Sequence, residues 1–507
     1  MSGASIGTFI SFGIYLFFML AIGWHFYNRT KNLSDYVLGG RGLNAWVTSL
    51  SAQASDMSGW LLLGLPGYAY LAGLEAGWIA LGLLIGTYLN WKFIAGRLRR
   101  YTRIAGDSIT LPVYFENRFR DKGGILRVVS ALFILIFFLL YTSSGFVAGA
   151  KLFNTVFNIP YIWALAAGVF VIIGYTFLGG FMAVSWTDFF QGSLMFFSII
   201  IIPLIAMSSL GGYEVTVNIL NNIDPKLMDV FTGLNGERLS VMAIVSMLAW
   251  GLGYFGQPHI LARFMAISSP GEIPKARKIA MGWVFFSLIA AVAVGLVGRA
   301  LLLKTPLVGK AASETVFMVL VNQLTNPFVG GILLAAILAA VMSTADSQLL
   351  VTSSAITEDL YKVIYKKKIS EKKLVWIGRF AVIGVALVAF FIALDPDSSV
   401  LELVAYAWAG FGATFGPVII LSLFWKRMTA TGAIAGIFTG GLVVLFWKNI
   451  SGGIFNIYEI VPGFIFSFIA IVTFSLTDKK PPDEVMEEFE KASKELTSNS
   501  DLWYNSD

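Results

Sequence analysis

Long apolar runs separated by short polar breaks organise the chain from end to end. A helix needs roughly 20 consecutive apolar residues to cross the hydrocarbon core of a bilayer, and thirteen runs come close to or exceed that length. The predicted spans lie near 7–26, 43–72, 75–96, 126–150, 161–179, 189–208, 239–262, 279–301, 328–355, 374–393, 398–424, 429–447 and 456–476. Because a helix satisfies its own backbone hydrogen bonds in lipid, the pattern predicts an all-α polytopic membrane protein.

Two of the predicted spans contain clusters of Gly and Pro inside their apolar runs. Span two reads DMSGW at 56–60 and GLPG at 64–67, and span seven reads WGLGYFGQP at 250–258. The clusters lie five spans apart, so the two spans cross the membrane in opposite directions. Paired interrupted spans are typical of transporters built from inverted repeats with a binding site near the midplane. Two proline-kinked structural helices are the alternative interpretation.

Composition narrows the class of protein. Of 507 residues, 57% are hydrophobic and 13% are charged, whereas a soluble domain carries roughly 25% charged residues. The chain has no cysteine, which excludes a disulfide framework and a thiolate nucleophile. These features exclude a soluble enzyme, a nucleic-acid-binding protein and a secreted disulfide scaffold. The first run lacks a preceding basic segment and is predicted to be a retained span, not a signal peptide.

The basic residues predict an orientation. If the N-terminus is outside, 29 of the 36 Lys and Arg residues fall in inner segments. Those segments are 27–42, 92–127, 263–278, 362–379, 426–427 and the tail from about 477. The positive-inside rule therefore favours an outer N-terminus and a cytoplasmic C-terminus, with an odd number of spans. The excess of basic residues is a topology signal and does not indicate a polyanion-binding surface.

Asp56 is the first candidate functional residue. It lies inside an apolar run, where a carboxylate costs several kcal/mol unless it is paired or hydrated. The adjacent Gly and Pro cluster would free backbone carbonyl oxygens, and a hard cation such as Na⁺ binds several oxygens. The alternative is a structural carboxylate near the cytoplasmic edge that pairs with Arg41 or caps a half-helix.

A second polar patch interrupts span nine at 340–348, AVMSTADSQ. The hydroxyls of Ser343 and Thr344 are adjacent, and the carbonyl of Ala340 lies one turn back on nearly the same face. Ser and Thr in membrane helices often bond the carbonyl four residues earlier in their own helix, which is the structural alternative.

Aromatic residues near the breaks indicate where an organic solute could bind. Trp250 and Tyr254 share a helical face, and Tyr141 lies inside span four. Such a group suits a small ring or a cationic amine through packing and cation–π attraction. The alternative is the interfacial aromatic belt of membrane proteins.

Five stretches of the chain are long and specific enough to identify a family. They are 36–67 (YVLGGRGLNAWVTSLSAQASDMSGWLLLGLPG), 108–119 (SITLPVYFENRF), 179–192 (GGFMAVSWTDFFQG), 250–266 (WGLGYFGQPHILARFMA) and 339–362 (AAVMSTADSQLLVTSSAITEDLYK). They resemble the solute:sodium symporter family, especially its bacterial members that carry proline. The resemblance extends from roughly 10 to 478.

The resemblance implies a fold of about 13 transmembrane helices with a LeuT-like core of two inverted five-helix repeats. Its expected segments are 1–42 (first helix and cytoplasmic loop), 43–208 (first repeat), 209–238 (extracellular loop), 239–424 (second repeat), 425–476 (two C-terminal helices) and 477–507 (cytoplasmic tail).

The resemblance also implies roles for individual residues. The coupling sodium would lie between spans two and nine, bound by the carbonyls of Ala54, Met57 and Ala340 and the hydroxyls of Ser343 and Thr344. Asp56 matches the acid needed for sodium coupling. The substrate positions would be Ser58, Gly59, Tyr141, Trp250, Tyr254 and Pro258. Arg41 and Ser51 match functionally sensitive positions on the cytoplasmic side.

Some family members bind a second sodium ion just inside the first. Asp188, Asp346 and Ser347 occupy comparable positions in this chain. The hypothesis is a second cation site, or a proton-accessible carboxylate, at these three residues.

The expected function is sodium-coupled import of L-proline by alternating access across a bacterial inner membrane. Sodium would be the co-transported ion, and no enzymatic activity, nucleic acid or obligate protein partner is expected. Another solute of the family (pantothenate, a sugar or a different amino acid) and proton coupling remain alternatives. A channel, a substrate sensor and a membrane-embedded enzyme are the rivals from other classes.

Overall fold

A computed structural model describes residues 6–27, 33–178, 180–364 and 370–498. Within these ranges the chain is helical, and it contains no β-strand beyond two isolated bridges, Leu43 to Ile267 and Thr232 to Arg238. The first bridge joins the start of one broken span to the end of the other. The all-α prediction is therefore confirmed.

Twenty-three α-helices follow one another in the described ranges. The first twelve are α1 Ile6–Tyr27, α2 Leu33–Leu38, α3 Ala45–Asp56, α4 Leu65–Ala72, α5 Gly77–Leu89, α6 Ala95–Ile104, α7 Leu111–Phe119, α8 Ile125–Phe157, α9 Tyr161–Leu178, α10 Phe181–Ser209, α11 Tyr213–Ile223 and α12 Val241–Leu248. The remainder are α13 Pro258–Ala266, α14 Ile273–Leu301, α15 Lys310–Ser313, α16 Val316–Leu324, α17 Pro327–Ser354, α18 Lys362–Ile364, α19 Glu371–Ile392, α20 Val400–Phe424, α21 Ala430–Trp447, α22 Ile460–Thr477 and α23 Asp483–Ser498.

Ten helical stretches in the described part are long and apolar enough to cross a membrane. The stretch Trp60–Ile104 has 45 residues and turns at Gly73, whose φ of 72° favours glycine. Two shorter apolar helices occupy 161–174 and 241–256. A multi-pass membrane fold is therefore confirmed, and the count of thirteen spans stays a prediction.

Both interruptions predicted from Gly and Pro are present. Helix α3 ends at Asp56, the backbone leaves the helical region at Met57 (φ −82°, ψ 71°), and a π-helical turn at Trp60–Gly64 leads into α4. In span seven, a 3₁₀ helix at Ala249–Gly256 follows α12 and is followed by an extended residue, Gln257 (φ −78°, ψ 107°). Pro258 then starts α13, at a position where its missing N–H costs nothing.

Close backbone contacts hold the broken span seven between two straight helices. A Cβ at Gly82 or Gly86 of α5 would overlap the backbone of Leu248 or Gly251, and a Cβ at Gly253 would overlap the indole of Trp408 in α20. Only glycine allows helices to approach this closely. The 3₁₀ helix is therefore fixed against α5 on one side and α20 on the other.

Candidate cation and solute site

Asp56 lies at the break in span two and is completely buried. Its Oδ2 accepts a hydrogen bond of 2.7 Å from the hydroxyl of Tyr254. Its backbone carbonyl accepts bonds from the hydroxyl of Tyr141 (3.1 Å) and from Nε1 of Trp60 (3.2 Å). Its Oδ1 has no hydrogen-bond partner among the described residues. The two broken spans therefore meet at this carboxylate, and two of the predicted substrate residues contact the same aspartate.

Arg41 is not the partner of Asp56. Its guanidinium pairs with Asp107 at 3.0 Å and donates to the carbonyls of Met265 (2.7 Å) and Ser108 (2.9 Å). Burial lowers the pKa of Arg41 below its usual value, and Asp107 opposes that shift. Arg41 thus connects the segment before α3 to the loop after α6 and to the end of α13, whereas Asp56 is the last residue of α3.

Hydroxyls from α17 reach across to the end of α3. Ser343 donates to the carbonyl of Ala54 at 2.8 Å and to that of Ala340 at 3.2 Å, and Thr344 donates to the carbonyl of Ala54 at 3.3 Å. All four residues are buried. Thr344 bonds a different helix and not its own preceding turn, contrary to the structural alternative. Four of the five predicted sodium ligands therefore converge between spans two and nine.

Met57, the fifth predicted ligand, is the residue at which α3 stops. Its N–H still bonds the carbonyl of Gln53 at 2.8 Å, but its ψ of 71° turns the next peptide away from the helix. Ser58 then begins the following turn: its carbonyl accepts from the N–H of Leu61 at 3.0 Å. Gly59 lies where a Cβ would meet the side chain of Ala148. The close contact with α8 is therefore sufficient to explain why residue 59 is glycine, without any role in binding.

The predicted substrate residues of span seven lie along the 3₁₀ helix and just beyond it. Trp250 stacks on Tyr458 with ring centroids 5.7 Å apart, and Tyr254 meets Trp408 edge-on at 5.0 Å. The indole Nε1 of Trp408 donates to the carbonyl of Trp250 at 2.7 Å. Pro258 lies past the break, where it lines a separate cavity with residues 109–112 at the start of α7 and with the end of α17.

Three aromatic residues of this region were missed by sequence reasoning: Trp60, Trp408 and Tyr458. Trp60 is next to the predicted break and could have been found by its position. Trp408 and Tyr458 come from spans eleven and thirteen, where an aromatic residue is indistinguishable from the interfacial belt. Only the packing of these helices against span seven assigns them to the site.

Arg263 lies at the centre of a second buried cluster. Its Nη2 donates to Oδ2 of Asp188 at 3.1 Å and to the hydroxyl of Ser347, and its Nε donates to the hydroxyl of Ser51 at 3.1 Å. Ser51 in turn donates to the same oxygen of Asp188 at 2.6 Å. Arg263 and Asp188 are both completely buried. The sequence predicts Arg263 to be a charge of a cytoplasmic loop, and this prediction is wrong because the guanidinium is buried inside the helical bundle.

Asp346 completes this cluster. Its Oδ1 accepts a bond of 3.3 Å from Ser347, whose hydroxyl also donates to the carbonyl of Ser343 at 2.8 Å. Oδ2 of Asp346 and Oδ1 of Asp188 have no hydrogen-bond partner among the described residues. The candidates for a second cation site thus surround a guanidinium, and Ser51 belongs with them rather than with Arg41.

Ser347 also joins the two clusters. Through its bond to the carbonyl of Ser343, it connects the Arg263 group to the hydroxyl that reaches Ala54. Buried carboxylates, hydroxyls and carbonyls therefore form one polar path along α3, α10, α13 and α17. No group of three His, Cys, Asp or Glu side chains in the described ranges is placed to hold a metal ion.

Two interrupted helices whose breaks meet at one buried carboxylate, that of Asp56, form the arrangement of a secondary transporter. A family model named "Sodium:solute symporter family" matches residues 36–440. The chain belongs to this family.

Curated relatives share about half of their residues with this chain. The sodium/proline symporter of Escherichia coli (strain K12) is 51% identical over 486 residues, which cover 95% of each chain. The high-affinity proline transporter PutP of Bacillus subtilis (strain 168) is 48% identical over 477 residues, covering 93% of this chain and 98% of that protein.

Solved structures agree with the fold. A Na⁺-coupled sialic acid symporter in a substrate-bound outward-open state has a TM-score of 0.78 at 19% identity, covering 94% of this chain and 99% of that one. A nucleobase-cation-symport-1 family transporter, Mhp1, has a TM-score of 0.56 at 13% identity, covering 91% and 99%. At these identities the likeness concerns the fold alone.

Proposed function

We propose that this protein is a sodium-coupled symporter that imports L-proline by alternating access. Two relatives that are about half identical to this chain over nearly its whole length are named sodium/proline symporters, and their names support the proposal. The single observation that carries the mechanism is the hydrogen bond from Tyr254 to Asp56. It connects an aromatic side chain of one broken span to a carboxylate of the other, so ion and solute would act on the same pair of breaks.

The co-transported Na⁺ binds between α3 and α17 in this proposal. The carbonyls of Ala54, Met57 and Ala340 and the hydroxyls of Ser343 and Thr344 are its ligands. Cation binding would replace the hydroxyl bonds to Ala54 with oxygen–cation contacts, because each hydroxyl carries lone pairs as well as a proton. A cation would thereby hold the last turn of α3 against α17. Asp56 supplies the negative charge nearest the break.

L-proline binds beside this ion in the proposal. Its carboxylate meets backbone N–H groups of the unwound segment near Ser58 and Gly59, where helix N-termini attract anions. Its ring and amine contact Tyr141, Trp250 and Tyr254, and Pro258 borders the pocket toward the cytoplasm. Closure around both ligands then precedes their release on the other side.

We further propose a second cation site, or a proton-accessible carboxylate, at Asp188, Asp346 and Ser347. One guanidinium faces two carboxylates there, so the cluster has one negative charge in excess when both are ionised. The test is the sodium dependence of uptake. A Hill slope above one that falls in Asp188→Asn or Asp346→Asn supports the site, and a slope of one that neither variant changes contradicts it.

The basic residues support an orientation with the N-terminus outside and the C-terminus in the cytoplasm of a bacterial cell. Arg41 then lies on the cytoplasmic side, where its contacts would gate release, and Ser51 lies between it and the break. Because the chain has no cysteine, single variants report orientation directly. Ser370→Cys should react with a membrane-impermeant maleimide only after permeabilisation, and Ser451→Cys should react in intact cells.

Labelled L-proline uptake into proteoliposomes tests the function. An inward Na⁺ gradient is compared with an equal K⁺ gradient at matched voltage. One charge moving through about 100 mV yields roughly 2.3 kcal/mol, and a tenfold sodium gradient adds about 1.4 kcal/mol. We expect accumulation of order several-hundred-fold with Na⁺ alone. Uptake that is equal in K⁺, or that never exceeds equilibrium, would refute sodium coupling. Competition by unlabelled pantothenate or sugars would refute proline as the preferred solute.

A further inference from the structure

A groove on the outer surface of the bundle runs between the α5 region and α14. It has a volume of about 370 Å³, within the range of small-molecule pockets. Gly77, Ala80 and Leu84 lie on the α5 side, and Phe285 and Leu296 lie on the α14 side. All of its lining residues are apolar. Phe285 and Ile289 are exposed, so the groove opens toward the lipid.

The groove has the length of one bilayer leaflet. Phe285 and Leu296 are eleven residues apart on α14, which corresponds to about 16 Å of helix. One half of the hydrocarbon core is about 15 Å thick. The groove follows α14 from Phe285 to Leu296, within two turns of Leu301, where the helix ends. An acyl chain that lies along this groove would therefore place its headgroup at the membrane–water boundary.

Arg299 lies on α14 just beyond Leu296, the last residue of that helix to line the groove. It follows Leu296 by three residues, so both are on the same side of α14. Its Nε is buried and has no hydrogen-bond partner, and its guanidinium forms no ion pair with any described residue. The guanidinium lies over the ring of Tyr70 at 5.3 Å. A buried N–H without an acceptor is unfavourable, and a guanidinium is well shaped to bind phosphate oxygens.

We propose that this groove binds one phospholipid, with an acyl chain between α5 and α14 and its phosphate at Arg299. The apolar lining matches the chain, the length matches one leaflet, and the unpaired guanidinium matches the charge of the phosphate. A second copy of the protein fits less well, because its helix would have to bring an anion to Arg299 at the membrane boundary.

Such a lipid would act on the broken span seven through α5. The opposite side of α5 carries Gly82 and Gly86, which contact the backbone of the 3₁₀ helix next to Trp250. An acyl chain bound against the other side of α5 would hold α5 in contact with the 3₁₀ helix. This consequence for transport rests on the proposed function, whereas lipid binding itself does not.

Native mass spectrometry of purified protein tests the site without measuring transport. The protein is released from detergent after incubation with phosphatidylglycerol or phosphatidylethanolamine, and retained lipids are counted. We expect one tightly held phospholipid per chain, with retention reduced at least tenfold in Arg299→Gln and Gly77→Leu. A Cβ at Gly77 meets no atom within 4 Å, so leucine can fill the groove without a backbone clash.

Two control variants separate this site from the general lipid annulus. Gly384→Leu adds the same side chain at another open glycine, on α19, and Lys304→Gln removes an exposed charge near the same end of α14. Both should keep the lipid, and inorganic phosphate should not displace it. Equal retention in all variants, equal loss in the controls, or a dimer in place of the lipid adduct would each overturn the proposal. Turnover in proteoliposomes should fall in Arg299→Gln with the half-saturating sodium concentration unchanged.

Discussion

The guanidinium of Arg263 lies 3.1 Å from the carboxylate of Asp188, and both side chains are completely buried. The pair joins α13, the second half of a broken span, to α10. Desolvation of two charges costs several kcal/mol per ion, which attraction repays only when the remaining polar atoms are also satisfied. Ser51 and Ser347 supply such bonds here. Through these two serines the pair is hydrogen-bonded to α3 and α17, the two helices of the proposed sodium site.

Removal of both charges should destabilise the protein by less than the sum of the two single removals. Asp188→Asn leaves a buried guanidinium, and Arg263→Gln leaves buried carboxylates, at a cost of about 3–5 kcal/mol for a broken buried pair. The loss of unfolding free energy in the double variant should be smaller than the sum of the two single losses by about 0.5–3 kcal/mol. Unfolding in detergent across this double-mutant cycle measures the coupling. Additive losses would mean that Asp188 and Arg263 do not interact energetically.

Loss of either hydroxyl at the α3–α17 contact should weaken sodium activation specifically. Ser343→Ala or Thr344→Ala removes one proposed ligand oxygen and should raise the sodium concentration for half-maximal proline uptake about tenfold or more. Thr352→Ala is the matched control, because Thr352 is buried on the same helix but bonds its own Gln348 carbonyl at 2.6 Å. If Thr352→Ala raises the half-maximal sodium concentration as much as Thr344→Ala does, the hydroxyls of Ser343 and Thr344 are not sodium ligands.

Tyr254→Phe should affect ion and solute together. The substitution keeps the ring packed on Trp408 and removes the hydroxyl bond to Asp56, which leaves the buried carboxylate without a side-chain donor among the described residues. We expect at least a tenfold rise in both the proline KM and the half-saturating sodium concentration. Tyr161→Phe is the control, because its hydroxyl also bonds a carbonyl, that of Ala393 at 2.8 Å, outside the site. Unchanged sodium activation in Tyr254→Phe would mean that the hydrogen bond between Tyr254 and Asp56 plays no part in sodium coupling.

Sequence patterns predicted the breaks well because a break is a local property. Met57 and Gln257 leave the helix beside glycine and proline, and these residues act through their own backbones. The cross-helix contacts of Ser343 and Thr344 were reached only through the resemblance to a family. Adjacent hydroxyls in a membrane helix do not by themselves indicate what they face.

Other parts of the site depend on tertiary packing. Arg263 lies at the end of an apolar run, where its charge is indistinguishable from a loop charge in a sequence count. Its partners come from three other helices, and no spacing rule connects them. Trp408 was missed for the same reason, since nothing near it in the chain indicates the carbonyl of Trp250 as its acceptor. Residues whose role is set by distant partners therefore required the structure.

Trp408 should position the solute pocket without contributing to the ion site. Trp408→Phe keeps an aromatic ring beside Tyr254 but leaves the buried carbonyl of Trp250 without its 2.7 Å donor, at a cost of about 1–3 kcal/mol. If this cost destabilises the proline-bound protein more than the free protein, the proline KM should rise about five- to tenfold while sodium activation stays unchanged. Trp447→Phe is the matched control, because its indole also donates to a carbonyl, that of Ile457 at 3.2 Å, outside the site. Equal shifts for proline and sodium would make Trp408 a general structural residue, whereas a shift confined to proline assigns it to the geometry of the pocket.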